Sequence, residues 1–305
     1  MSEALQSKIT GWRRTFHLKL RFGMSKLPIW PTRYRLTTDG HPDFTFWWTH
    51  VIPFMSPEKG AFDFELYGWD VRELRFLRRF LQPGMTFVDL GAHHGLYSVL
   101  AAALVGPTGR VIAFEPAPAS ARRLRWHATL NGVNRIEVHR SALGARASTA
   151  TLFVPQHGID TVSSLRPPAV GGGGPTHRIE VNVVSLDDFA SSRDLKEIDL
   201  VKLDVEGAEA DVLDGAARVC ANLAPLWIFE ALDSTSATWG SSGRKLVTRF
   251  ADLGHELFEF NPEGRLLPHQ LRDAYPLDSN CNLLAVPRGK IASVDRRYER
   301  SEVRA

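Results

Sequence analysis

Residues 85–98 read MTFVDLGAHHGLYS, and the fold of the chain turns on them. Thr86, Phe87, Val88 and Leu90 make an apolar run too short for a helix. Gly91 and Gly95 break the run, and Leu96, Leu100 and Leu104 then recur at helical spacing. The pattern is strand, glycine turn, helix. Such a turn sets backbone N–H groups at a helix start, and glycine lets a ligand lie against the main chain without an intervening Cβ. Many doubly wound proteins use the same glycines for packing, so the turn by itself leaves both readings open.

The next run, residues 110–115, ends in a lone carboxylate. Val111, Ile112, Ala113 and Phe114 lead to Glu115, twenty positions after Gly95. A carboxylate at that strand end can accept hydrogen bonds from both hydroxyls of a ribose. A dinucleotide fingerprint would need G-x-G for the approach of a pyrophosphate, whereas this turn is GAHHG, with Ala92 and His93 following the first glycine. No pyrophosphate is expected. Asp89, two residues before Gly91, is placed to order the turn and to meet a cationic ligand tail. Ribose, adenine, sulfonium and ammonium groups suit this set better than a nicotinamide dinucleotide, which makes S-adenosylmethionine the expected cofactor.

The chain has 305 residues with 44% hydrophobic content, enough for one sizeable α/β domain with an appendage. A formal net charge of +3 gives no global field that argues for nucleic acid. Cys220 and Cys281 are too few for a disulfide framework, which fits a reducing cytoplasm. No apolar run approaches the roughly 20 residues that cross a bilayer, and no uninterrupted apolar stretch of the secretory kind opens the chain.

Residues 4–38 lack Asp and Glu but carry Lys8, Arg13, Arg14, Lys19, Arg21, Lys26, Arg33 and Arg35, with Trp12, Phe16 and Leu20 at helical spacing. This is either a solvated terminal helix or a basic amphipathic segment suited to peripheral contact with an anionic membrane. Residues 44–54, FTFWWTHVIPF, are dense in aromatics and read as packed core, with a lid or dimer contact as the alternative. Residues 69–81 read as a helix, with Val71, Leu74, Leu77 and Leu81 opposite Arg72, Arg75, Arg78 and Arg79, stopped by Pro83 and Gly84.

Pro116 is expected to open a further helix, with Leu124 and Leu130 inward and Asn131-Gly132 as its cap. Ile136 and Val138 mark a third strand whose exit, Ser141-Ala142, offers candidate adenine contacts. Residues 149–154 and 178–186 alternate as two strands of an insertion, joined by a loop containing RPPAVGGGGP, residues 166–175, that either covers substrate or has no role. Residues 198–203 form another strand leading into DVEGAE, so that Lys202 and Asp204 share a face at its carboxyl end, where ligands bind in such sheets. Gly207 starts a helix with Val212 and Leu213 inward. A strand over 224–230 ends in Glu230, and then follow a helix over 244–253, a strand over 257–260 and a last strand over 282–286.

Together FVDLGAHHGLYS, VIAFEP, VVSLDDF at 183–189, IDLVKLDVEGAE and NLLAVP resemble the FkbM family of S-adenosylmethionine-dependent methyltransferases, over about residues 65–287. The resemblance implies a doubly wound Rossmann-like α/β fold whose seven-stranded sheet is mostly parallel with an antiparallel last strand. It implies cofactor contacts at Asp89, Gly91, Gly95 and Glu115, and O-methylation of a hydroxyl on a sugar, polysaccharide, lipid or secondary metabolite. The organisation expected is an extension over 1–64, the methyltransferase domain over 65–287 with a β insertion, and a charged tail over 288–305. Family members usually carry Asn at the position of His93; imidazole still donates a hydrogen bond but is bulkier and titrates near neutrality.

A sulfonium methyl is already activated, so the protein has mainly to align a hydroxyl and remove its proton. Candidate bases are Asp204, Glu206, Glu230 and His94, in that order. Lys202 and Asp204 could equally form a structural ion pair, and Asp204 with Glu206 lacks a third ligand for Mg²⁺, so no metal is expected. The rival readings are a module that binds S-adenosylmethionine without catalysis and a nicotinamide-dependent oxidoreductase. The sequence names neither the acceptor nor the oligomeric state.

Overall fold

The computed structural model describes residues 32–38, 40–48, 70–155, 163–167, 175–277 and 282–294. The helical pattern of Trp12, Phe16 and Leu20, residues 49–54, the glycine run, Cys281 and the tail from 295 lie outside them. The chain divides into two compact units between Val71 and Arg72. In the first, β1 (Thr32–Thr38) and β2 (His41–Trp48) pair antiparallel, with Arg35 opposite Thr45. The end of the basic stretch and the start of the aromatic stretch are therefore strands, as their Thr, Tyr, Phe and Trp content favours.

The second unit opens with α1 (Val71–Phe80), whose Leu74, Leu77 and Phe80 are buried. The expected arginine face is not solvated: Arg78 and Arg79 are buried too. Arg79 Nε donates to the carbonyl of Glu263 at 3.2 Å and Arg75 Nη1 to that of Pro262 at 2.6 Å. Long aliphatic stems cover apolar surface while the guanidinium heads satisfy a distant turn.

Among the described residues the main sheet has eight strands. Its parallel centre runs, in spatial order, β10 (Leu226–Glu230), β9 (Leu200–Leu203), β3 (Thr86–Leu90), β4 (Arg110–Phe114) and β5 (Ile136–His139). Beyond β10 lies β13 (Asn282–Pro287), antiparallel to it, then β11 (His255–Phe260), antiparallel to β13. The edge strand β12 (Leu266–Pro268) is an eighth, beyond the seven expected. Val88 stands between Ile112 and Val201. These residues, with Leu90, Phe114, Leu203, Trp227 and Phe229, form the core on one face of the sheet, and Phe87, Ala113, Leu200 and Ile228 between them are buried on the other, which is why the central strands read as nearly unbroken apolar runs. Because β4 and β5 extend one way from β3 while β9 and β10 extend the other, the crevice at the carboxyl ends of β3 and β9 is the switch point of the fold.

The helix after β3 is α2 (Leu96–Val105). The helix after β4, α3 (Pro118–Leu130), begins at Pro118 and not at Pro116, with buried Leu124 and the expected Asn131 cap. A smaller sheet takes β6 (Ala142–Leu143), β8 (Thr176–Val184) and β7 (Ser148–Pro155), in that spatial order, which is the β insertion. The last strand of the insertion stops at Val184 instead of reaching Leu186. Ser185 there accepts the Asp188 N–H at 3.1 Å and so caps α4 (Leu186–Ser192). After β9 comes α5 (Glu209–Asp214), with Val212 and Leu213 buried. The short α6 (Asp233–Ala237), which no periodicity announces, and α7 (Gly243–Asp252) separate β10 from β11. Cys220 is buried in the core, and burial pushes its thiol up to about 12, so it packs as an apolar group. Among the described residues no helix is long and apolar enough to cross a membrane.

Candidate functional site

Three neighbouring strands end in the crevice with acidic residues or the glycine turn. Asp89, the fourth residue of β3, is 1% exposed. Its Oδ2 accepts the Ser98 hydroxyl at 2.6 Å, whereas Oδ1 has no hydrogen-bond partner among the described residues. Burial raises this carboxyl above its ordinary range, against the opposing pull of Lys202 and the Ser98 hydrogen bond. A buried carboxylate oxygen left unengaged costs free energy unless a donor reaches it, so the donor set fits the ammonium end of S-adenosylmethionine.

Gly91 needs a left-handed φ of 82°, and a Cβ on it would run into the carbonyl oxygen of Asp204. The glycine therefore brings the β3 turn against the end of β9. Four amides of this turn are engaged within the protein. Gly91 and Ala92 N–H donate to the Phe114 carbonyl at 3.0 and 2.9 Å, His93 N–H to Glu115 Oε2 at 2.7 Å, and Gly95 N–H to the Ala92 carbonyl at 2.7 Å. Buried amides must find acceptors, and the neighbouring strand supplies them.

Glu115 is 5% exposed, and its second oxygen accepts the Ala117 N–H at 2.8 Å. Burial raises its carboxyl, while the Ala117 and His93 amides draw it down. Each carboxylate oxygen keeps a further lone pair, which is what ribose hydroxyls would meet. The one side chain thus ties the turn to the start of α3 and faces the same crevice.

On the other side of β3, Lys202 stands in register with Asp89. Its ammonium lies 2.7 Å from Asp204 Oδ2 and 4.7 Å from the centroid of the Tyr97 ring. Asp204, Glu206 and Glu230 are each half-buried. Burial raises the Glu206 carboxyl well above its ordinary value, and the charges of Asp204, Glu230 and Glu209 raise it further. Glu206 has φ 56°, an unusual backbone for a residue with a Cβ. The turn is held by Glu209, whose Oε1 accepts the N–H groups of Val205 at 3.0 Å and Gly207 at 3.2 Å.

The candidate bases do not all converge. Asp204, Glu206 and Glu230 share one neighbourhood, whereas His94 is buried with its ring stacked on His93, centroids 3.5 Å apart, and its Nε2 3.4 Å from Arg123 on α3. Ala142 is buried in an apolar cluster with Ala117 and Val183, and Ser141 beside it is half-buried. Sequence reasoning missed Ser98, Tyr97 and the anchoring by Glu209. Hydroxyl groups in the first turn after an acidic strand were the signal available for the first two. Among the described residues no group of three or more His, Cys, Asp and Glu is arranged to hold a metal ion.

Residues 89–263 match the family model of the methyltransferase FkbM domain. The chain is 32% identical over 142 residues to Methyltransferase 1 of Beauveria bassiana, covering 42% of this chain and 57% of that protein. It is 30% identical over 148 residues to the 2-O-methyltransferase NoeI of Sinorhizobium fredii, covering 44% and 58%. It is 33% identical over 159 residues to the 31-O-demethyl-FK506 methyltransferase FkbM of Streptomyces tacrolimicus, covering 44% and 60%. The chain thus spans less than two thirds of the length of these relatives. With the doubly wound sheet, the acidic strand ends and a family match over more than half of its length, the chain belongs to the FkbM family of S-adenosylmethionine-dependent methyltransferases.

Proposed function

We propose that this chain catalyses O-methylation, placing a methyl group from S-adenosylmethionine on a hydroxyl of a small-molecule or glycan acceptor. The observation that carries the reading is the contact of the Gly91 turn with the Asp204 end of β9, which sets the cofactor-side carboxylates and a second acidic group on either side of one crevice. When bound, the cofactor supplies a sulfonium-activated methyl group. Asp89 and Glu115 are the residues that would hold its ammonium and ribose. Asp204 is then the first candidate to take the acceptor proton. Lys202 at 2.7 Å orients its carboxylate, and the buried aliphatic stem of that lysine fixes the pair. Glu206 is the second candidate, because burial and neighbouring carboxylates lift its proton affinity well above that of an ordinary carboxylate, which makes it a stronger base.

The O-methyltransferase names of two relatives and the acidic character of the acceptor side support oxygen as the methylated atom. Asp204→Asn keeps the side-chain shape, removes the charge and should lower turnover by about 10² to 10⁴-fold, with a much smaller change in cofactor affinity. Transfer of labelled methyl, calorimetric cofactor affinity and melting temperature are measured on the same variant. Near-normal turnover with a lowered melting temperature assigns the Lys202–Asp204 pair a structural role and removes Asp204 from the chemistry. A wild-type chain that binds the cofactor yet labels no acceptor is a binding module instead.

A further inference from the structure

A short stretch of the insertion stands directly on the acidic turn. The backbone of Ser164 pairs with Phe153 in both directions, at 2.8 and 3.2 Å, which fixes residues 163–167 to β7. From there the Ser164 hydroxyl donates to the carbonyl of Glu206 at 3.1 Å. Arg166 follows, with its guanidinium 4.6 Å from the centroid of the Trp239 ring. Trp239 comes from the end of α6 and presses on the same turn from the other side: a Cβ on Gly207 would sit 2.7 Å from its Cδ1. Three segments far apart in the sequence thus meet around Glu206.

Two polar atoms of these segments are buried without a hydrogen-bond partner among the described residues, Trp239 Nε1 and the Oγ of Ser163, the residue before Ser164. An indole N–H and a hydroxyl left unsatisfied are expensive in a finished structure and ordinary in a site that a polar ligand completes. The turn that Ser164 and Trp239 contact carries Glu206, and the charges of Asp204 and Glu230 act on its carboxyl. The wall therefore offers one fixed N–H donor, one hydroxyl, a guanidinium flattened on an aromatic ring and the carboxylate acceptor of that turn. Hydroxyl groups satisfy both kinds at once, since each donates one proton and accepts through its lone pairs. A carboxylate or phosphate on the acceptor would satisfy the donors but be repelled by the acids.

We propose that Arg166, Trp239 and Ser163 are specificity-determining residues for the acceptor, and that they select an uncharged, multiply hydroxylated molecule over a carboxylated or phosphorylated one. The inference rests on the methyl-transfer reading and adds to it which surface holds the acceptor and with what chemistry. None of the three side chains belongs to the machinery assigned to the cofactor or to the proton.

The test incubates the full chain and S-adenosylmethionine carrying a labelled methyl group with a small-molecule and glycan extract that has been split on an anion exchanger. Label should enter the unretained, neutral fraction, and the main labelled product is purified as the acceptor probe. With that probe, Trp239→Phe, which keeps the ring and removes the N–H, and Arg166→Gln should each raise KM by about tenfold. The cofactor Kd and kcat should stay within about twofold. Label found chiefly in the retained, anionic fraction overturns the inference, as does an unchanged KM in both variants. No label in either fraction, from a wild-type chain that binds the cofactor, overturns the methyl-transfer reading and this inference with it.

Discussion

Ionising Glu209 should cost the fold stability, and the pH at which it does so is fixed by the structure. Glu209 is 2% exposed and begins α5, with its Oε1 accepting two amides of the acidic turn. Burial pushes its carboxyl up to about 7, more than the backbone hydrogen bonds lower it, and the charge of Asp204 adds to the rise. In the unfolded chain the same group loses its proton near its ordinary value of 4.5. Between those values the folded state holds a proton that the unfolded state has released, so stability falls as pH rises. The contribution is fully present below about pH 4.5, declines by about 1.4 kcal/mol per pH unit, and levels off above about pH 7 after a loss on the order of 3 kcal/mol. Glu209→Gln retains a carbonyl oxygen for both amides and does not titrate. Urea unfolding of the two proteins from pH 5 to pH 8 should show the variant gaining on the wild type across that window. A stability difference that is flat with pH, or that moves in favour of the wild type, would refute the claim that burial dominates this carboxyl.

Glu115→Gln should weaken S-adenosylmethionine binding by about 1 to 2 kcal/mol, because a charge-assisted acceptor becomes a neutral one; calorimetry that finds the affinity unchanged in a folded variant removes the ribose assignment. Tyr275→Phe deletes a hydroxyl that sits 2.7 Å from His269 Nε2 and accepts the Arg272 N–H at 3.2 Å. With the ring fully buried and His269 shielded, the loss should be about 1 to 3 kcal/mol in urea unfolding, and a change under about 0.5 kcal/mol would mean that Glu259, whose Oε1 lies 2.7 Å from both His269 Nδ1 and Arg272 Nη2, holds these two residues without the hydroxyl.

The central strands were legible because a strand buried on both faces must be apolar at every position, and residues 86–90, 110–114 and 200–203 are nearly so. The acids at their carboxyl ends followed from the same pattern and the antiparallel last strand from the family resemblance, whereas the order of the strands came only from the structure. The sequence points to Pro116 as the helix opener, yet the helix begins at Pro118, with the Ala117 N–H taken by the Glu115 carboxylate two residues back. The sequence sets the arginines of α1 opposite its apolar stripe, but does not show that Arg75 and Arg79 reach the carbonyls of residues 262 and 263, far along the chain. The site divides in the same way. Asp89, Glu115 and Asp204 were visible as carboxylates at strand ends, since that depends on residue type and spacing alone. That Gly91 is needed to admit the Asp204 carbonyl, that His94 turns toward α3, and that Ser164 and Trp239 meet at Glu206 are through-space facts. Periodicity encodes what each residue does to its chain neighbours, whereas desolvation and hydrogen-bond pairing depend on atoms that only the folded chain brings together.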